Sequence, residues 1–214
     1  SSSSSSSGLG DLYKMYTGDG STSAGWPAQS SWASFGDLWT ANTALISQSC
    51  TQFSESNNSD EETSNLQSAI SSLASSSGID ARFILAIVMQ ESGGCVRAPT
   101  TNYGVTNPGL MQSHDGTGSC NNGGVQDPCP QSEITQMIED GTTGTSEGDG
   151  LEQTLRQAGC EDVSRYYKAA RIYNSGSIAQ SKNLDDGVAT HCYASDVANR
   201  LTGWVHASNG CTLD

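Results

Sequence analysis

Basic residues are scarce in this sequence. Nine Lys and Arg stand against 23 Asp and Glu in 214 residues, for a formal net charge of −14. A chain so short of cations cannot neutralise a run of phosphates, which excludes nucleic acid as a partner. Anionic membranes and cell walls should repel it at low salt, so an anionic substrate has to be held by hydrogen bonds and stacking. Long hydrophobic runs are missing too. The longest is Phe83–Met89, against about 20 residues for a membrane span. There is no CxxC pair and no phosphate loop, which argues against a zinc site and a nucleotide enzyme. The acidic stretch 139–150 lacks the Asp-x-Asp-x-Asp-Gly spacing of a calcium loop. His114, His191 and His206 are scattered. No metal and no cofactor are expected. No signal peptide is visible, so the sequence reads as a mature or trimmed form.

What is present points outside the cell. Charged residues make up only 15 % of the chain, and Ser, Thr, Asn and Gly fill the surface in their place. Such a composition suits a soluble, secreted protein working in acidic surroundings. Seven cysteines, at 50, 95, 120, 129, 160, 192 and 211, read as a disulfide framework. The number is odd, so one thiol is free or pairs outside the chain. Cys120 and Cys129 are the candidate local pair, closing a Gly/Asn/Pro-rich loop. The sequon Asn57-Asn58-Ser59 fits secretion. Residues 1–7 are all serine and read as a flexible linker left from an upstream wall-binding module. Residues 8–214 are expected to form one domain.

Within that domain, residues 8–30 are expected to wrap the core irregularly. Apolar periodicity predicts helices over about 31–49, 61–76, 81–91, 131–140, 150–158, 162–174 and 192–202. Gly78 should stop the second and Asp80 should cap the third, with Ser132 capping the fourth. Residues 93–130 read as a long loop region with at most short strands. The third helix is apolar on every side over 83–89, the pattern of a helix buried in the middle of a domain.

That helix ends Gln90-Glu91-Ser92-Gly93-Gly94. A carboxylate closing a buried apolar helix is partly desolvated and faces the negative end of the helix dipole, and both effects raise its pKa. The glycines leave room for a ligand to approach. A carboxyl kept protonated near neutrality is what glycosidic cleavage needs in order to protonate the leaving oxygen. The bland alternative is a helix-ending Glu that points to water.

Downstream segments bear on the choice. Glu91-Ser92, then Gly109-Leu110-Met111-Gln112, then the stretch 127–142 (DPCPQSEITQMIEDGT), then Tyr173-Asn174-Ser175-Gly176 follow one another in that order. Together they resemble the signature of goose-type lysozymes and soluble lytic transglycosylases, over roughly residues 80–176. The resemblance implies a mainly α, lysozyme-like domain around a buried central helix, disulfide-bonded and with an irregular N-terminal segment. It implies that Glu91 is the catalytic acid, that Met111 and Gln112 line the sugar site, and that Tyr173 and Asn174 face the acid and contact substrate. Ser175 stands where the family often has Ala. Met111 and Tyr173 have core packing as their alternative, and Asn174 a helix C-cap. Inverting hydrolysis needs a second carboxylate about 6.5–9.5 Å away. The family's aspartate position is held here by His114, which is expected among the substrate-binding residues, so Asp115 is the candidate, with Asp127 next. Asn102 and Asn107 are alternative holders of a water. Tyr103 is placed to stack on a sugar ring or to pack.

The expected activity is hydrolysis of the β-1,4 bond between N-acetylmuramic acid and N-acetylglucosamine in bacterial peptidoglycan, by a monomer whose partners are the glycan strands. The competing readings are a lytic transglycosylase that forms anhydro-muropeptides, an enzyme acting on chitin or chitosan, and a non-catalytic glycan-binding module.

Overall fold

The structure, a computed structural model, describes residues 9–213. The Ser run predicted as a linker lies outside the described residues. The described chain is mainly helical. It carries α1 (Phe35–Ile46), α2 (Asp60–Ser77), α3 (Ala81–Glu91), α4 (Gln131–Thr143), α5 (Leu151–Gln157), α6 (Ser164–Ser175) and α7 (Tyr193–Thr202), with three short 3-10 turns. β1 (Thr101–Asn102) and β2 (Thr106–Asn107) form a minimal antiparallel hairpin in which Thr101 pairs with Asn107.

The apolar run sits where its pattern requires. Every residue from Phe83 to Met89 is buried, and α3 packs against α1, α2 and α7. Burying a side chain of this size contributes roughly 1.5–3 kcal/mol, so α3 anchors the core. The ends of α2 and α3 follow from their caps. Ser59 and Glu62 form a capping box at the start of α2, and Gly78 ends it with φ 75°. Asp80 accepts from the Arg82 amide at the start of α3.

Several boundaries differ from the sequence reading. The first helix starts only at Phe35, because Trp32 is extended and Ser34 caps by accepting from the Asp37 amide. It ends at Ile46, and Ser49–Phe53 tighten into a 3-10 turn. Ser132 is not the cap of α4. The helix begins at Gln131 after Pro130, whose φ of −64° already suits a first turn, and Ser132 falls inside it.

The irregular N-terminal stretch does wrap the core. Trp26 and Trp32 are buried against α6, and the Trp32 indole donates to the Tyr167 hydroxyl at 2.9 Å. Tyr13 donates to Asp196 Oδ1 at 2.6 Å, while the Lys14 amide and carbonyl both engage Asn199, so this strap is fastened to α7.

Three disulfides are formed: Cys50–Cys95, Cys120–Cys129 and Cys192–Cys211. The second is the local pair expected from the sequence, and Cys160 is the free thiol. A buried ion pair braces the loop they tie down. Arg97 Nη1 lies 2.5 Å from Glu62 Oε1, and Glu62 also accepts from the Ser59 and Cys129 amides. Burial alone would raise the Glu62 pKa, but Arg97 and those amides outweigh it and hold the carboxyl below its usual value. Among the described residues no helix is long and apolar enough to cross a membrane.

Candidate active site

Glu91 is the last residue of α3 and is partly buried. Its Oε1 accepts a 2.5 Å hydrogen bond from the hydroxyl of Tyr193, the first residue of α7. Desolvation pushes the Glu91 pKa up to about 7, and the Tyr193 hydrogen bond pulls against that shift. Near neutrality this carboxyl therefore populates both protonation states, a requirement for a group that must give and take a proton.

The segments singled out in the sequence meet one another beside the end of α3, two of the meetings through hydrogen bonds and one through close packing. Ser92, next to Glu91, is buried and donates to the Leu110 carbonyl at 2.8 Å. Tyr173, near the end of α6, donates to the Met111 carbonyl at 2.7 Å. Gly109 has φ 77°, and a Cβ there would come within 2.5 Å of Met137 Sδ on α4. Gly141 on α4 lies so close to Met111 that any side chain there would collide with it. Residues 109–112 are thus the common junction of α3, α4 and α6. The Tyr173 pKa is raised by burial first and by the neighbouring Glu91 charge second.

A groove of about 600 Å³ opens beside this junction. Asn107, Gln112, His114, Glu147, Tyr173 and Asn174 are among the residues that line it. Glu91 is not on its wall, whereas Tyr173, whose pKa the Glu91 charge raises, is. Met89 and Gly93, on either side of Glu91 in the chain, border a second recess of about 390 Å³ together with Gln52, Arg200 and Trp204.

Several predicted residues take other roles here. Met111 does not face the groove: its side chain is fully buried in the core, and its contribution is the carbonyl that holds Tyr173. Gln112 reaches the groove wall, yet its amide is fully engaged. Its oxygen accepts from Thr101, and its nitrogen donates to the Pro99 and Gly109 carbonyls, which braces a loop whose own backbone is left-handed at φ 47°. Asp115 is exposed, lies 3.9 Å from His114 and is not a groove residue. Asp127 faces Arg97 at 3.7 Å instead. Asn107 lines the groove, whereas Asn102 is exposed and turns back to the Gly104 amide. Tyr103 stands at the hairpin tip with 88 % of its surface exposed, so its ring faces are open to a ligand. Asn174 lines the groove, and its Oδ1 is buried with no hydrogen-bond partner. The C-cap of α6 is made by Gly176 rather than by Asn174.

Three acidic or phenolic groups escaped the sequence reading. Tyr193 belongs to no motif, and only its place at the start of a predicted helix marked it. Glu147 and Asp149 line the groove from the loop between α4 and α5. That loop is docked by Thr145, which donates to the His114 carbonyl at 2.8 Å. Asp149 is already engaged by Gln157 at 2.5 Å, whereas Glu147 is exposed.

Comparison of the chain with protein-family models, curated proteins and solved structures returns no match.

Proposed function

We propose that this domain is a secreted, lysozyme-like muramidase that hydrolyses the β-1,4 bond between N-acetylmuramic acid and N-acetylglucosamine in peptidoglycan. The observation that carries the reading is Glu91, a carboxyl with its pKa near 7 at the end of a buried helix. Around it, Ser92, residues 109–112 and Tyr173 are hydrogen-bonded into one unit. In the protonated state Glu91 gives its proton to the glycosidic oxygen as the C1–O bond breaks. The positive charge developing at C1 is then captured by water. Asn107, Asn174 and the Tyr173 ring supply groove contacts for the glycan, and the open Tyr103 ring supplies a stacking face. Glu147 is the groove carboxylate best placed to take the proton of the attacking water, because Asp149 is held by Gln157 and Asp115 lies off the groove. The three disulfides fit an oxidising, extracellular setting.

A lytic transglycosylase is the second reading, and the position of Asp115 favours it. If no second carboxylate takes part, Glu91 serves as acid and then as base while the 6-hydroxyl of the muramic acid closes an anhydro ring.

Mass spectrometry of fragments released from purified peptidoglycan, with Glu91→Gln in parallel, tests both. Hydrated reducing ends that vanish in the variant support the muramidase. Anhydro ends support the transglycosylase. No fragments from the unaltered protein reject cleavage of peptidoglycan and direct the search to chitin and chitosan.

A further inference from the structure

The chain has three lysines, and two of them line one recess. Lys168 and Lys182 border a space of about 570 Å³ together with Asp19, Gln157, Ser177 and Ile178. Ile172 and Gly176 belong both to this recess and to the groove beside Glu91. The two spaces therefore adjoin across the end of α6. In a protein of net charge −14, this concentration of cations runs against the average of the surface.

We propose that the recess binds carboxylates of the peptide stems that branch from the glycan, so that the enzyme reads the stem while the groove holds the sugars. This rests on the peptidoglycan reading above. Neither lysine forms an ion pair within 4 Å among the described residues. Lys182 is exposed, in a left-handed backbone conformation at φ 68°. Lys168 is partly buried and donates to Cys160 Sγ at 3.6 Å. It is flanked by Asp19 and Asp162, whose charges it stabilises. Asp19 is the carboxylate on the recess wall, and one of its oxygens already accepts from the Ser21 amide and hydroxyl. The ends of α5 and α6 bring partial negative charge to the same place. A ligand carboxylate must therefore reach the ammonium groups themselves, which makes both lysines necessary. Stem peptides meet this geometry because they are covalently attached to the muramic acid residues of the strand and carry several carboxylates along an extended chain.

The test compares fragment release from native peptidoglycan and from the same material with its carboxylates amidated by carbodiimide and ammonia. It uses the unaltered protein and the Lys168→Gln/Lys182→Gln double variant, with thermal denaturation confirming that both are folded. The unaltered protein should prefer native material by about tenfold, as expected for two charge-assisted contacts. The double variant should bring that ratio close to one. A ratio near one for the unaltered protein, or an equal preference in both proteins, overturns the proposal. Titration with the soluble peptide L-alanyl-γ-D-glutamyl-diaminopimelate, followed by NMR, reads the recess without catalysis. Shifts at Lys168, Ser177 and Lys182 that weaken at least fivefold in the double variant support the site even if no glycan is cut. Their absence overturns the site even if the glycan is cut.

Discussion

The hydroxyl of Tyr193 donates to the carboxylate of Glu91 across 2.5 Å, linking the first residue of α7 to the last residue of α3. The bond favours the ionised carboxylate, while burial favours the protonated one, and burial wins. In Tyr193→Phe the opposition disappears, so the Glu91 pKa should climb further above about 7. A hydrogen bond to a charged group is worth about 1.5–3 kcal/mol, or roughly one to two pH units. The alkaline limb of kcat/KM should move up by that amount, and a ¹³C NMR titration of the Glu91 carboxyl should show the same shift without reference to activity. An unmoved titration would remove Tyr193 from the site.

Glu91 should also make stability depend on pH. Its folded pKa of about 7 lies above the ordinary 4.5, so the native state holds the proton more tightly than the unfolded chain. Stability from this group is complete below pH 4.5 and declines as pH rises to about 7, by about 3 kcal/mol in all. Glu91→Gln cannot ionise. It should therefore match the unaltered protein near pH 4 and exceed it at pH 8, as measured by urea denaturation at the two pH values.

The Glu62–Arg97 pair predicts the opposite slope at the acid end. Glu62 has its folded pKa lowered, so its contribution is present above pH 4.5 and disappears as pH falls through the depressed value. Arg97→Met leaves Glu62 buried beside the Cys129 amide without its cation, which should cost about 3–5 kcal/mol at pH 7. Denaturant midpoints at pH 7 and pH 3 should show a large gap between the two proteins at the first and a smaller one at the second.

The identity of a water-activating group can be read from two substitutions. Glu147 lines the groove, whereas Asp115 lies beside His114 and off the groove. Glu147→Gln should lower kcat by about 10²-fold or more, the range of a general base. Asp115→Asn should change it less than twofold. Equal, small effects from both, with anhydro products, would assign the single-carboxylate route.

The helices were legible in the sequence because each carries its own signal. The apolar run of α3, the capping residue Asp80 and the terminal Gly78 are local features, and the structure uses them as read. Of the candidate site, the sequence named only residues that lie within a motif. Glu91, Tyr173 and Asn174 are such residues. Met111 was assigned to the sugar site and lies in the core, because the motif marks its carbonyl and the tight approach to Gly141, and neither of these is a property of the side chain. Glu147 and Tyr193 reach the site through long-range packing, of the α4–α5 loop on His114 and of α7 on α3. No spacing along the chain encodes those contacts. The lysine recess was equally hidden. Low overall basicity suggested that anions would be held without cations, yet folding gathers residues 168 and 182 onto one wall.

The strap formed by Tyr13 and Lys14 is fastened to Asp196 and Asn199, and Asp196 in turn accepts from Gln90, the residue before Glu91. The working unit is therefore much longer than the stretch that carries the recognisable motifs. A recombinant fragment trimmed to residues 80–176 would keep every signature residue and still lose Tyr193. One begun after residue 16 would keep Tyr193 but remove the strap's hydrogen bonds to Asp196 and Asn199 on the helix that carries it.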